Sequence, residues 1–259
     1  MRRRNLTELA NNPDLISGIY NYCDRWCERC PLTSRCLVYA TEQEDNELFE
    51  SHDIRNEAFW KKLSGIFQET REMIAEWATS AGVDLTEPSE EDEARYKRKR
   101  QLVDNHPLTK AGKKYANTAS DWFREFDQTI EISDLRATES DREDAETLED
   151  AREVIQWYQY QIAVKTMRAL SGQKEELEED PEIAEFPKDS DGSAKVALIG
   201  IDRSIAAWRM MQLSLPERAG TIVPLLLQLE RLRRRLERNF PEARDFIRPG
   251  FDEVLGAAN

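Results

Sequence analysis

All four cysteines of this 259-residue chain lie in one stretch, CDRWCERCPLTSRC, from Cys23 through Cys27 and Cys30 to Cys36. Thiolates are soft ligands, so four in a row with the spacing C-x3-C-x2-C-x5-C suit a zinc ion or an iron-sulfur cluster. A blander reading treats them as core residues, because free cysteine packs as a small hydrophobe. That reading leaves Cys36 a coincidence and the rest of the chain without a single thiol. A structural disulfide pair is the other alternative, and a reducing compartment disfavours it.

Cys23, Cys27 and Cys30 stand at i, i+4 and i+7. On an unbroken helix they share one face within roughly 60°, and the first and third are separated by roughly 10 Å of axial rise. A single zinc, with bonds of about 2.3 Å to each sulfur, needs its ligands closer than that, so zinc requires the helix to unravel. A four-iron cubane holds its cysteines further apart at its corners. Pro31 breaks the helix, and Cys36 supplies the closing ligand. The geometry leans toward a [4Fe-4S] cluster on Cys23, Cys27, Cys30 and Cys36, and zinc stays open if the helix ends early.

The ten residues CERCPLTSRC, Cys27 to Cys36, resemble the C-x2-C-x5-C segment, often with proline after the second cysteine, that binds [4Fe-4S] in helix-hairpin-helix DNA glycosylases. Similar segments occur in some RecB-like nucleases and in auxiliary-cluster domains of radical enzymes. The resemblance implies cluster ligation by Cys27, Cys30 and Cys36 and nothing catalytic. The first gap here is three residues where those glycosylases have six, the segment lies near the amino end, and LPERAGTIVP lacks their glycine-rich hairpin. The opening C-x3-C-x2-C also has the spacing of radical S-adenosylmethionine enzymes. Those use three cysteines and a strand-rich partial barrel, which a helical chain does not supply.

Neighbouring residues acquire roles from this centre. Arg25, Arg29 and Arg35 can offset thiolate charge or simply lie on an exposed face. Trp26, between two ligands, can shield the centre from water. A carboxylate di-iron site is excluded on pattern, since neither His52 nor His106 follows a glutamate by three positions, and Glu69, Glu72 and Glu76 read as a solvated stripe. Asp202 and Lys165 sit beside apolar stripes, where each needs a buried partner or lines a site. The basic runs Arg95–Arg100 with Lys110, Lys113 and Lys114, and RLRRRLER around Arg233, face dense acidic segments, so pairing within the chain is the expected use.

Helices must carry these residues, because apolar positions recur at helical spacing and strand-like alternation is nearly absent. The pattern predicts an all-α bundle of about five or six main helices in a single domain, 1–259, with a metal- or cluster-binding helix-loop at 13–40. One helix is expected from Pro13 to Cys30, with Asn12 as cap and Ile16, Ile19, Tyr20, Cys23, Cys27 and Cys30 on its apolar side. A second runs from about 56 to 81 with Phe59, Leu63, Ile66, Phe67, Ile74 and Trp77 inward. Others follow Pro107 (Ala111, Tyr115, Ala119, Trp122, Phe123, Phe126), carry Leu148, Ile155, Tyr158, Ile162 and Leu170, then Leu198, Ile201, Ile205 and Trp208, and finally Ile222, Leu226, Leu229, Leu232 and Leu236. Acidic stretches at 83–94 and 173–189 are candidate joints.

Composition narrows the function classes. Ten glycines, ten prolines and 39% hydrophobic residues exclude fibrous and wholly disordered chains. A net charge of −14 opposes general nucleic-acid binding. With no long uncharged apolar run, the expectation is a cytoplasmic protein with no membrane association. The chain therefore reads as a redox, electron-transfer or cluster-dependent protein with a redox partner. Its rivals are a zinc-stapled interaction protein and a nucleic-acid-processing protein with a structural cluster.

Overall fold

The structure is a computed structural model that describes residues 12–48, 57–82, 89–129, 139–176 and 188–252. These residues form seven α-helices and no strand: α1 (Leu37–Leu48), α2 (Glu57–Ala81), α3 (Glu90–Asn105), α4 (Pro107–Thr129), α5 (Glu139–Glu176), α6 (Asp189–Ser214) and α7 (Ala219–Asn239). Where the sequence pattern offers one domain, contacts divide the chain into two compact units, Met1–Ser17 with Cys30–Lys97 and Gly18–Arg29 with Arg98–Asn259. His52 and most of the two acidic joints lie outside the described residues.

The larger unit is built on α4 to α7. Each packs on two neighbours, α4 on α5, α5 on α6, α6 on α7 and α7 back on α4, which closes a ring of four. Cross-contacts run antiparallel: Gly112 meets Ala163 while Arg152 reaches Asp127, and Gly172 meets Ser190 while Gly200 meets Tyr158. This is an up-down four-helix bundle. Its interior comes from residues spaced alternately three and four apart, such as Leu148, Ala151, Ile155, Tyr158 and Ile162 on α5 and Ile222, Leu225, Leu229, Leu232 and Leu236 on α7, all buried. The inward stripes expected on α4 to α7 are therefore correct, with Ala111 and Leu226 only partly covered.

Aromatic rings fill the centre. The Trp208 indole lies edge-on to Trp122 at 5.0 Å and stacks on Phe123 at 5.5 Å, and Trp122 stacks on Phe126 at 5.0 Å. Indole N–H groups need acceptors in such a dry place. Trp208 Nε1 donates to the Tyr115 hydroxyl at 3.0 Å, and Trp122 Nε1 donates to Thr221 Oγ1 at 2.9 Å. Burial pushes the fully enclosed Tyr115 phenol up to about 12.

After α7 the chain turns back over the start of α6. Lys195 Nζ donates to the Phe246 carbonyl at 2.6 Å and pairs with Asp252 at 2.8 Å, and Arg248 grips the same carboxylate at 2.9 Å. These cations hold Asp252 well below the usual carboxylate range, against the opposing effect of its partial burial. Gly192 makes the turn possible, since a Cβ there would stand 2.4 Å from the Tyr22 ring and 2.7 Å from Phe246.

Two sequence expectations are corrected. No helix runs from Pro13 to Cys30; two 3-10 turns, Ile19–Asn21 and Cys27–Arg29, take its place, and a third, Thr33–Arg35, follows. Gly18 at φ 71° and Arg25 at φ 58° both lie in the left-handed region, which no right-handed helix can pass through. Asn12 caps a turn, not a helix, its Oδ1 accepting the Asp14 N–H at 2.9 Å. The second correction concerns α2, whose Phe67 (62%), Ile74 (47%) and Trp77 (60%) are exposed, not inward. The side chains of Phe59 and Ile66 lie outside the described residues.

Gly192→Ala should cost about 1–3 kcal/mol in urea denaturation, because aromatic rings must move to admit the methyl. Tyr115 gives a pH-dependent prediction. Its folded pKa lies above the ordinary 10, so the folded state keeps a proton that the unfolded chain releases; stability is full below pH 10 and is lost as pH rises toward 12. Denaturation at graded pH should show a steeper alkaline loss for the native chain than for Tyr115→Phe, by roughly 2–3 kcal/mol in total.

Candidate metal centre

The four cysteines form no disulfide, are half-buried, and stand on turns and the irregular backbone between them. Cys23 follows the turn Ile19–Asn21, and its Sγ lies 3.5 Å from the Tyr20 carbonyl. Cys27 opens the turn Cys27–Arg29, and Cys30 follows it. Cys36 closes the turn Thr33–Arg35, and its carbonyl accepts the Ala40 N–H at 3.0 Å, which starts α1. Two sulfurs accept a backbone N–H from two residues further on: Cys23 from Arg25, and Cys30 from Leu32 at 3.4 Å. Hydrogen bonds of this kind stabilise thiolates and tune sulfur-ligated metals.

Around Cys23 the structure is dense. Burial pushes its thiol up, opposed by the Arg25 hydrogen bond and by nearby Lys165. Lys165 occupies a seam position of α5, three residues after Ile162, and is 9% exposed. Its Nζ reaches the Asn21 carbonyl at 3.4 Å, and burial lowers its pKa although Cys23 opposes the shift. The partner that a lysine in this stripe requires is thus the Asn21 carbonyl, two residues ahead of Cys23.

Asp24 fixes that segment to the bundle. Its Oδ2 accepts from the Tyr158 hydroxyl and, at 2.7 Å, from Arg203 Nη1, which also donates to the Tyr158 oxygen. Its Oδ1 accepts the Trp26 N–H at 3.2 Å, which sets the bend toward Cys27. Its backbone carbonyl takes donors from Trp157 Nε1 at 3.0 Å and from Gln161. Burial, then the Asp24 carboxylate, holds the Tyr158 phenol far above its ordinary value.

Trp26 completes the attachment, 9% exposed and stacked on Trp157 at 4.9 Å, with the Arg29 guanidinium 4.1 Å from its centroid on a cation–π contact. Arg29 also pairs with Asp150 at 2.7 Å and with Glu153. Arg35 is similarly engaged, its Nε donating to the Asp14 carbonyl at 3.1 Å. Two of the three arginines expected to offset thiolate charge, Arg29 and Arg35, therefore have other partners, whereas the charge of Arg25 acts on Cys23 and favours its thiolate.

No group of three or more His, Cys, Asp or Glu side chains among the described residues is gathered to hold a metal ion. No family model, curated protein or solved structure matches the chain. The donor chemistry of the segment still fits a sulfur-ligated centre: four reduced thiols on turns, two of them already accepting N–H bonds.

The remaining candidates resolve as structure. Asp202 pairs with Arg233 at 3.4 Å and with Arg244 at 2.6 Å. The basic run pairs internally, Arg95 with Asp92, Lys97 with Glu93 and Lys113 with Asp104. Glu72 and Glu76 are exposed. His106 precedes α4 as its cap, Nδ1 accepting the Leu108 N–H at 3.3 Å. No helix among the described residues is long and apolar enough to cross a membrane.

Asp24, Gln161 and Arg203 were not singled out by spacing, and Tyr158 was expected only as a member of a buried stripe. Asp24→Ala should destabilise the larger unit by about 2–3 kcal/mol, because it leaves the Tyr158 hydroxyl without its acceptor. Asp24→Asn should cost less, about 1–2 kcal/mol, with both read as shifts of the urea midpoint at constant slope.

Proposed function

We propose that Cys23, Cys27, Cys30 and Cys36 ligate a [4Fe-4S] cluster and that the chain is a helical iron-sulfur protein serving electron transfer, redox sensing or cluster-dependent chemistry. The observation that carries this reading is the turn backbone of the cysteine segment, with N–H groups two residues beyond Cys23 and Cys30 directed at their sulfurs. Four thiolates bring four negative charges, and N–H donors offset them without adding counter-ions. The likeness of Cys27–Cys36 to the glycosylase cluster segment supports the same assignment. When bound, the cluster would supply one-electron redox capacity, at a potential set by those N–H bonds and by solvent access. Trp26 and Trp157, stacked beside the segment, would keep water from one side of it.

Structural zinc is the second reading, favoured by one observation. The objection to zinc rests on the axial rise of a helix through Cys23 and Cys30, and the segment is not helical. In that case the ion staples the amino-terminal segment, and the protein acts as a scaffold. A redox protein partner accompanies the first reading. A nucleic-acid role has less support, since Arg95, Lys97, Arg100 and Lys113 of the basic run are paired within the chain.

Anaerobic purification separates the two. The cluster predicts a brown protein with broad absorbance near ~400 nm, bleached by dithionite, and about four irons per chain. A colourless protein with one equivalent of zinc would replace it with the scaffold reading. Cys30→Ser should lose the metal while far-ultraviolet circular dichroism stays strongly helical; unchanged metal content would sink the ligand assignment.

A further inference from the structure

Helix α2 turns its apolar side chains outward. Phe67, Ile74 and Trp77 are 62%, 47% and 60% exposed, Met73 is 48% exposed, and Leu63 on the same side is half-buried. Of its described side chains only Ala78 is fully buried. Within its own unit, among the described residues, no other helix packs extensively along α2.

The positions are ordered. Residues 60, 63, 67, 70, 74, 77 and 81 are Trp, Leu, Phe, Thr, Ile, Trp and Ala, spaced alternately three and four apart through the 25-residue helix. This is the 3.5-residue repeat of a seam that packs on one other helix of the same kind. The α5 and α7 stripes have the same alternation and are buried.

The seam is complementary to itself when reversed. About a centre between Gln68 and Glu69, antiparallel pairing sets Trp60 level with the partner's Trp77, Leu63 with the partner's Ile74, and Phe67 with the partner's smaller Thr70. Each layer joins a position of one kind to a position of the other, as antiparallel coils require. Charge favours the same orientation. Of the exposed charges, Lys61 lies in the first turns, and Arg71, Glu72 and Glu76 lie in the second half with a net negative charge, so reversal sets a basic end beside a net acidic one. Parallel pairing opposes like to like. Helix dipoles add to the preference. A lipid surface is a poorer occupant, since an interfacial helix is rich in cations on its polar side and this one sets Glu72 and Glu76 against Lys61 and Arg71, with no cationic excess among them.

We propose that α2 is a self-association helix, through which two copies of the chain pair antiparallel about Phe67, Ile74 and Trp77. The seam is exposed, so its variants leave the folded chain intact.

Sedimentation of the full chain under reducing conditions, from about 1 to about 100 μM, tests this. The expected result is a concentration-dependent species of twice 30.1 kDa. Phe67→Glu should raise the dimer dissociation constant by about tenfold or more, with unchanged circular dichroism. Orientation is read at Ser64, which antiparallel pairing brings to the flank of the partner's Arg71. Ser64→Glu should tighten the dimer by about two- to threefold and Ser64→Lys should loosen it by a similar factor. A chain that stays monomeric at about 100 μM, or a dimer indifferent to Phe67→Glu, overturns the proposal. Equal effects of Glu and Lys at position 64 overturn the antiparallel arrangement.

Discussion

One residue, Asp24, decides where the first two cysteines stand. Residues 18–29 form no regular element beyond two single turns and have little core of their own. They follow the bundle because one carboxylate and one carbonyl collect five donors, from Trp26, Tyr158, Arg203, Trp157 and Gln161. An exposed ion pair alone would contribute little, and Arg203 is more than half exposed. The buried Tyr158 hydroxyl and the stacked indoles give the attachment its strength, because those groups have no water to return to. The backbone geometry at Cys23 and Cys27 is thus set from α5 and α6 more than from local propensity.

The helical part of the molecule was legible for a plain reason. Apolar stripes on α4 to α7 mark buried faces, and the bundle covers them. The α2 stripe looks the same on paper and is open in the structure. A periodic pattern records that a helix has an apolar side, not what covers it, so Trp77 and Trp208 could not be told apart in advance. The expected helix from Pro13 to Cys30 failed for a different reason. Counting Cys23, Cys27 and Cys30 as apolar produced a helical period, whereas Gly18 and Arg25 adopt left-handed backbone and Asn21, Asp24 and the cysteines are indifferent helix formers. For Gly18 the warning was readable. For Arg25 it was not, since its φ is imposed by the anchored residues on either side.

Of the site, the thiols were legible and their support was not. Four cysteines in one stretch are conspicuous by type, while Asp24 is one acidic residue among fifty-one Asp and Glu. Its main partners lie well over a hundred residues away, at Trp157, Tyr158, Gln161 and Arg203. The nearest available hint was a polar-aromatic cluster on α5, WYQYQ, beside an otherwise aliphatic stripe. The arginines divide: proximity in sequence to the thiols suggested charge neutralisation, and Arg25 does act on Cys23, whereas Arg29 and Arg35 are occupied by Glu153, Asp150 and the Asp14 carbonyl.

The hydrogen bond between Trp208 and Tyr115 crosses the bundle from α6 to α4 inside an otherwise dry interior. Apolar layers tolerate a slip of one helix along another, because one methyl group can replace its neighbour. An indole donor and a phenol oxygen are more demanding: a displacement of one turn, about 5.4 Å, would part them inside the bundle and break the bond between them. The pair therefore acts as a latch against axial sliding. With the diagonal pair α4 and α6 held in register, α5 and α7, each packed against both, have a fixed frame to lie on.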